Sequence, residues 1–427
     1  MIASPWAEPL TLLVMVTSFG ALVTRARWPA GVALTAAAWA GGALNGHWFP
    51  LRHLVEGAFS YLDPILVIAT ATMFMRVLAE GGALGSIGAA VERGLGRRPV
   101  VLLPVLMGVV MFPGMITGSS TAAVLTTGAM AAAILIRLGA ARERAAAFVA
   151  IGSILGMIAP PVNIPAMLIG GGIDLPYVGF ARPLLLASVP LALLFAYTLG
   201  WQVLRPPAGA TVGAASAPSP RLHPALALAP VAVTVALMVA PQAWPGRMPD
   251  IGLPLVFLVS AAVAVLVSTR FAVLKTLHAA TDEALPILGI LCGVGAFIQV
   301  MTLTGARGWL VAQMLGAPSW ALVAAAAISM PLFGAISAFG SASVLGVPFL
   351  LALLGRNEVV TTAALSLLAG LGDLMLPAAL AGTLAARVAG VDDRMRVLRR
   401  CLWPAVAAAG VAAVMLWFSP SIGRWLR

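Results

Sequence analysis

Long apolar stretches recur along the whole chain, parted by short segments that carry most of its charge. A helix that crosses a bilayer needs about 20 mostly apolar residues. The stretches that meet or approach this are 9–24, 29–46, 62–79, 100–117, 118–136, 145–170, 183–204, 223–243, 251–269, 284–304, 319–337, 338–354, 360–386 and 401–418. The pattern predicts an all-α membrane protein that crosses the bilayer many times. Segment 205–222, RPPAGATVGAASAPSPRL, breaks the pattern with Pro, Gly, Ser and Ala. It reads as a flexible linker between a first half, 1–204, and a second half, 223–427.

Two apolar stretches are long enough for two crossings but are interrupted at their centres. In 100–136 the interruption is Gly114-Met115-Ile116-Thr117-Gly118-Ser119-Ser120-Thr121; in 319–354 it is Gly334-Ala335-Ile336-Ser337-Ala338-Phe339-Gly340-Ser341. Small polar residues at membrane depth fit re-entrant hairpins, whose tips must be covered by protein or face a water-filled cavity. A broken helix follows each hairpin. The first, 145–170, is interrupted over Gly152–Asn163, with Gly156, Pro160 and Pro161; the second, 360–386, is interrupted over Ala369–Pro377, with Gly372 and Asp373. Proline removes a backbone donor and clashes with the preceding turn, and glycine weakens the helix further.

Charge supports this arrangement. With the N-terminus outside and both paired stretches folded as hairpins, 18 of the 25 Lys and Arg residues fall on the cytoplasmic side. That is the bias expected of a bacterial-type inner membrane protein with a periplasmic N-terminus. It also explains the net charge of +11 without a nucleic-acid partner. The chain is 61% hydrophobic and 9% charged, with mean hydropathy +1.04, which excludes an ordinary soluble domain. Cys292 and Cys401 support neither a disulfide framework nor a metal site. Residues 1–10 carry no basic region, so 9–24 reads as a retained span rather than a cleaved signal peptide.

The halves resemble each other in order. Pro64-Ile65-Leu66 matches Pro286-Ile287-Leu288, Gly82-Ala83 matches Gly305-Ala306, and Pro161 falls on Pro377. Residues 114–125 align without a gap on 334–345, with five of twelve positions identical. In the assumed topology the two hairpins enter from opposite faces. That is an inverted repeat, the ground plan of many secondary transporters.

The chemistry is expected where each hairpin tip faces its broken helix. Freed carbonyls there can coordinate a cation, and half-helix N-termini suit an anion. The substrate-binding candidates are Ser119, Ser120, Thr121, Asn163, Ser341 and Ser343. The candidate Na⁺ ligands are Gly114, Ser119, Gly156, Pro160, Ser337, Gly372 and Asp373, the glycines and Pro160 through their carbonyls. Hydroxyl, carboxylate and carbonyl oxygens are hard ligands suited to Na⁺. Asp373, an ionisable residue at a helix break inside the membrane, is the sharpest of these. H⁺ coupling through it is the alternative. No His pair accompanies Asp373, which points away from an intramembrane enzyme.

These residues resemble the large membrane (M, DctM-like) subunit of tripartite ATP-independent periplasmic (TRAP) transporters, within the wider ion-transporter superfamily. The resemblance covers nearly the whole chain. It rests on the segment from Asp63-Pro64 to Gly81-Gly82, the Gly118-Ser119-Ser120 hairpin, Gly156 to Pro161 followed by Asn163-Ile164-Pro165, and Leu303-Thr304-Gly305. It implies a Na⁺-driven importer of small carboxylates, such as C4-dicarboxylates, that works as an elevator. It also implies two partners, a small four-helix (Q-type) membrane subunit and a periplasmic substrate-binding protein. The second half departs from the family pattern. Phe333–Ser337 carries no acidic residue, and Leu376-Pro377-Ala378-Ala379 stands where a second Pro-Pro-x-Gly element is expected. These departures leave room for a carrier of the same superfamily that works without a binding protein.

Overall fold

The computed structural model describes residues 6–204, 222–244, 246–269 and 271–426. Of the proposed linker, 205–222, only Leu222 is among them. The described residues fold into helices and their connections, and eight helices are long and apolar enough to cross a membrane. Four shorter apolar helices, Ala30–Leu44, Gly252–Val267, Ser319–Gly334 and Ala338–Ala352, stand among them. This is the architecture of a multi-pass membrane protein. Its outward apolar side chains, such as Leu266 and Trp320, are left for lipid.

The order of elements repeats. Ala7–Thr24, Ala30–Leu44, Leu62–Glu80 and Ala83–Leu95 in the first half answer to Pro224–Ala243, Gly252–Val267, Val273–Leu303 and Ala306–Leu315 in the second. One element differs. The second half runs one 31-residue helix, Val273–Leu303, where the first half divides into Leu51–Phe59 and Leu62–Glu80 around Ser60 and Tyr61. The sequence reading missed Leu51–Phe59, Ala83–Leu95 and Ala306–Leu315, because none has the length of a span. Ala83–Leu95 and Ala306–Leu315 each follow a glycine in the left-handed region, Gly82 (φ 84°) and Gly305 (φ 76°), which turns the chain sharply after the preceding span.

These elements pack into a frame. Val273–Leu303 lies against Ala30–Leu44, Leu51–Phe59 and Leu62–Glu80, while Gly252–Val267 joins Leu62–Glu80 to Pro224–Ala243. Backbones touch where the helices cross. A Cβ on Gly31 would stand 2.1 Å from the Gly289 carbonyl oxygen, and one on Gly57 2.5 Å from that of Gly295. Small residues at such crossings let membrane helices approach closely. Arg76, whose side chain is about one-third exposed, reaches Glu80 (3.5 Å) and Glu283 (3.6 Å) within the frame.

The remaining elements form a second group. Pro99–Thr117 and Ser120–Arg137 are the arms of the first hairpin; Ser319–Gly334 and Ala338–Ala352 are those of the second. Both second arms pass through one turn of π-helix, Val124–Gly128 and Ala342–Gly346. The first broken helix is Arg142–Ile158 followed by Ile164–Gly171. The second is Glu358–Gly370, the 3₁₀ turn Leu371–Leu374, and Leu380–Val388. The halves interlock here. Leu380–Val388 packs on Arg142–Ile158, and Ile164–Gly171 packs on Glu358–Gly370. Ala181–Leu204 and Arg394–Trp417 close the group from outside.

Candidate functional site

Each hairpin tip is built from the same local devices. In the first, Gly118 (φ 63°) ends the incoming arm, and a Cβ there would lie 2.5 Å from the Ile164 side chain. Ser119 is extended, and its Oγ accepts from the Ala122 N–H (3.3 Å), which caps the outgoing arm. In the second, Ser337 is extended and its Oγ accepts from the Gly340 N–H (3.0 Å). Such caps satisfy one of the free N–H groups at a helix start and leave others without an intrahelical partner.

The tips then press backbone to backbone on the broken helices. A Cβ on Gly114 would meet the Met157 nitrogen at 2.8 Å, and one on Gly156 the Met111 carbonyl oxygen at 2.3 Å. In the second half a Cβ on Gly334 would lie 2.8 Å from the Gly372 Cα, and one on Gly372 2.3 Å from the Gly334 Cα. Gly114 with Gly156 and Gly334 with Gly372 are thus equivalent contacts. The ungapped alignment holds at Gly114 and Gly334 but slips by two residues at the tips. The structure pairs Ser119 with Ser337 and Val124–Gly128 with Ala342–Gly346, so the second tip is two residues shorter.

The first break is narrower than the sequence suggested. Gly152 and Gly156 lie inside Arg142–Ile158, and the chain leaves the helix only at Ala159–Asn163, through Pro160 and Pro161. The Gly156 carbonyl accepts from the Ala159 N–H (3.1 Å) and that of Gly114 from the Gly118 N–H (2.7 Å). Each keeps one lone pair for another partner. The Gly372 carbonyl is placed alike, accepting from the Met375 N–H (2.9 Å). Pro160 is half-buried at the break itself.

Asn163 holds this break together. Its Oδ1 accepts from the Ala166 N–H (2.8 Å), while its Nδ2 donates to the Ile158 carbonyl (2.7 Å) and to Ser366 Oγ (2.9 Å). Fully buried, it spends both amide protons on the fold. Ser341 and Ser343 are likewise committed within the second hairpin. Ser341 Oγ donates to the Met330 carbonyl (2.6 Å) and Ser343 Oγ to the Gly340 carbonyl (3.0 Å). Thr121 is half-buried beside Ser120.

The two expected sites are joined. Ser120, in the first tip, donates its hydroxyl hydrogen to Asp373 Oδ2, in the 3₁₀ turn of the second broken helix. Asp373 is buried, at 8% exposed, and none of the described ion pairs includes it. Asn163 and Ser366 make the same kind of bridge between halves. Sequence reasoning did not single out Ser366, whose one signal is a hydroxyl inside the apolar run Ala364–Leu368. It also missed Tyr177, whose hydroxyl is buried against the Asn163 backbone.

Two hairpins of like build close on two broken helices within a helical frame. The YdaH transporter of Alcanivorax borkumensis has this fold: it superposes with a TM-score of 0.63 at 18% identity, covering 96% of this chain and 97% of its own. MtrF of Neisseria gonorrhoeae, described within a class of antimetabolite efflux pumps, superposes with a TM-score of 0.60 at 11% identity, covering 98% and 95%. No family model matches the sequence, and no curated protein matches it.

Proposed function

We propose that the protein is a secondary transporter that couples the movement of Na⁺ to that of a small carboxylate. The observation that carries this reading is the Ser120–Asp373 contact, which places a buried carboxylate of one half against the hairpin tip of the other. A cation bound there would draw on the Asp373 carboxylate, the Ser120 hydroxyl and free lone pairs of nearby carbonyls at the Gly334–Gly372 crossing. Gly114, Gly156, Pro160 and Ser119 supply a second oxygen-rich site at the first break, and Ser337 caps the second tip. The N–H groups at the starts of the two capped arms favour an anionic substrate group between the tips. Cation binding would neutralise Asp373 and allow both tips to close over the substrate. Movement of the loaded hairpin group against the frame would complete an elevator cycle.

A second reading, H⁺ coupling, follows from the same contact. Protonation of Asp373 neutralises it as well as Na⁺ does, and Ser120 can then accept rather than donate. The tripartite assembly, with a small Q-type membrane subunit and a periplasmic binding protein, rests on the motif resemblance. The two structural neighbours are transporters by their descriptions, and MtrF's class makes export a direction to test.

The deciding experiment is flux of labelled C4-dicarboxylates, 2-oxo acids and sugar acids in proteoliposomes, under an imposed Na⁺ or pH gradient, with and without a candidate binding protein. Flux driven by Na⁺ supports the proposal. Flux driven by the pH gradient alone replaces Na⁺ with H⁺. No gradient-driven flux of any acid refutes the carboxylate reading.

A further inference from the structure

The seam between frame and hairpin group is largely apolar. Among the described hydrogen bonds, side chains bridge it at three places. Tyr61 donates to the Leu168 carbonyl (3.2 Å), Arg307 donates to the Gly172 carbonyl (2.6 Å), and Arg137 grips Glu92. The first two hold the short half-helix Ile164–Gly171. The third is the one that joins a hairpin arm to the frame, and it is the strongest in kind. Arg137 Nη2 donates to both Glu92 carboxylate oxygens (2.6 and 2.7 Å), and Nε donates to one of them (3.0 Å). Forked guanidinium–carboxylate pairs fix geometry as well as adding energy. This one is sheltered, with Glu92 18% and Arg137 30% exposed.

Its surroundings combine open space with one close contact. A cavity of about 420 Å³ opens beside the pair, between Ala83–Leu95 of the frame and the hairpin arm. Gly82, Gly85 and Ala89 face Ala133 across it, while Met130 reaches over and packs on Gly88, where a Cβ would stand 1.9 Å from its sulfur. Among the described residues the second half has no counterpart. Ala306–Leu315 packs on Val347–Ala352, with Leu315 and Leu353 at the corresponding positions.

We propose that Glu92 and Arg137 are positioning residues for transport: the pair latches the first hairpin to the frame in the conformation seen here and must open for the hairpin group to move. The proposal rests on the transporter reading above only for the purpose of the motion. Its test needs no substrate.

Ala133→Cys, in a background with Cys292→Ala and Cys401→Ala, puts one thiol on the cavity wall. The measurement is its rate of reaction with a water-soluble maleimide in proteoliposomes. Loss of a hydrogen bond to a charged group shifts such an equilibrium by about tenfold. Glu92→Gln and Arg137→Gln should therefore each raise the labelling rate by about that factor. The exchange Glu92→Arg with Arg137→Glu should return it toward the parent rate, and Arg137→Lys, which keeps the charge but loses the fork, should fall between. Equal labelling in parent and single variants overturns the latch. So does an exchanged pair that labels like the singles, because packing rather than charge pairing would then hold the arm. A protein that moves no carboxylate yet shows the rescue pattern keeps the latch and loses the substrate assignment.

Discussion

The Ser120–Asp373 contact can be tested by a double-mutant cycle. Ser120→Ala removes the hydroxyl donated to a buried carboxylate, and Asp373→Asn removes its charge with little change of shape. A hydrogen bond to a charged group contributes about 1.5–3 kcal/mol, more than a neutral pair. Asp373 has no described ion pair to take up the loss. If the pair forms the coupling site, Ser120→Ala should raise the cation concentration for half-maximal flux by about tenfold, because the hydroxyl oxygen lost to the cation is partly offset by the hydrogen bond lost from the cation-free carboxylate. Asp373→Asn should abolish cation dependence. In the Asp373→Asn background, Ser120→Ala should then do almost nothing further, since its partner charge is gone. The assay is initial flux against cation concentration in proteoliposomes, with thermal unfolding of each purified variant as the fold control. Independent, multiplying effects of the two substitutions would refute the shared site, because contacting residues must couple. Unchanged cation dependence in both would remove Asp373 from ion coupling.

Gly156→Ala and Gly372→Ala each place a methyl group 2.3 Å from neighbouring backbone, where ordinary contact begins near 3.4 Å, so the hairpin must back away by about 1 Å. Both should lower thermal stability and flux together, whereas Gly108→Ala, with nothing within 4 Å, should leave both nearly unchanged. Asn163→Ala strands the Ile158 carbonyl, the Ala166 N–H and Ser366, and should destabilise the protein by about 2–5 kcal/mol, read as a fall in unfolding temperature and not as a change of cation dependence alone. Cysteines at the exposed, repeat-equivalent helix starts Arg142 and Glu358 should label from opposite faces of the membrane. Labelling from one face would sink the inverted topology.

Periodicity and composition were enough to establish a multi-pass helical protein, because the bilayer forces long apolar runs into helices whatever packs around them. Gly118-Ser119 and Pro160-Pro161 end helices locally, and the helices stop at both places. Short helices stayed hidden: Leu51–Phe59 and Ala83–Leu95 lack the length that marks a span. The extent of the first break also stayed hidden, because Gly156 is helical where it packs on Met111 and its presence alone could not say so. The larger difference lies in who meets whom. Reading each hairpin with its own broken helix gave two separate sites, one holding Ser120 and the other Asp373. The fold interlocks the halves, so that Ser120 meets Asp373 and Asn163 meets Ser366. Those pairs lie 253 and 203 residues apart, and no local propensity encodes a contact at that distance. The kinds of oxygen ligand available were set by the chain itself, while their assembly into one place depended on how two similar halves close around each other.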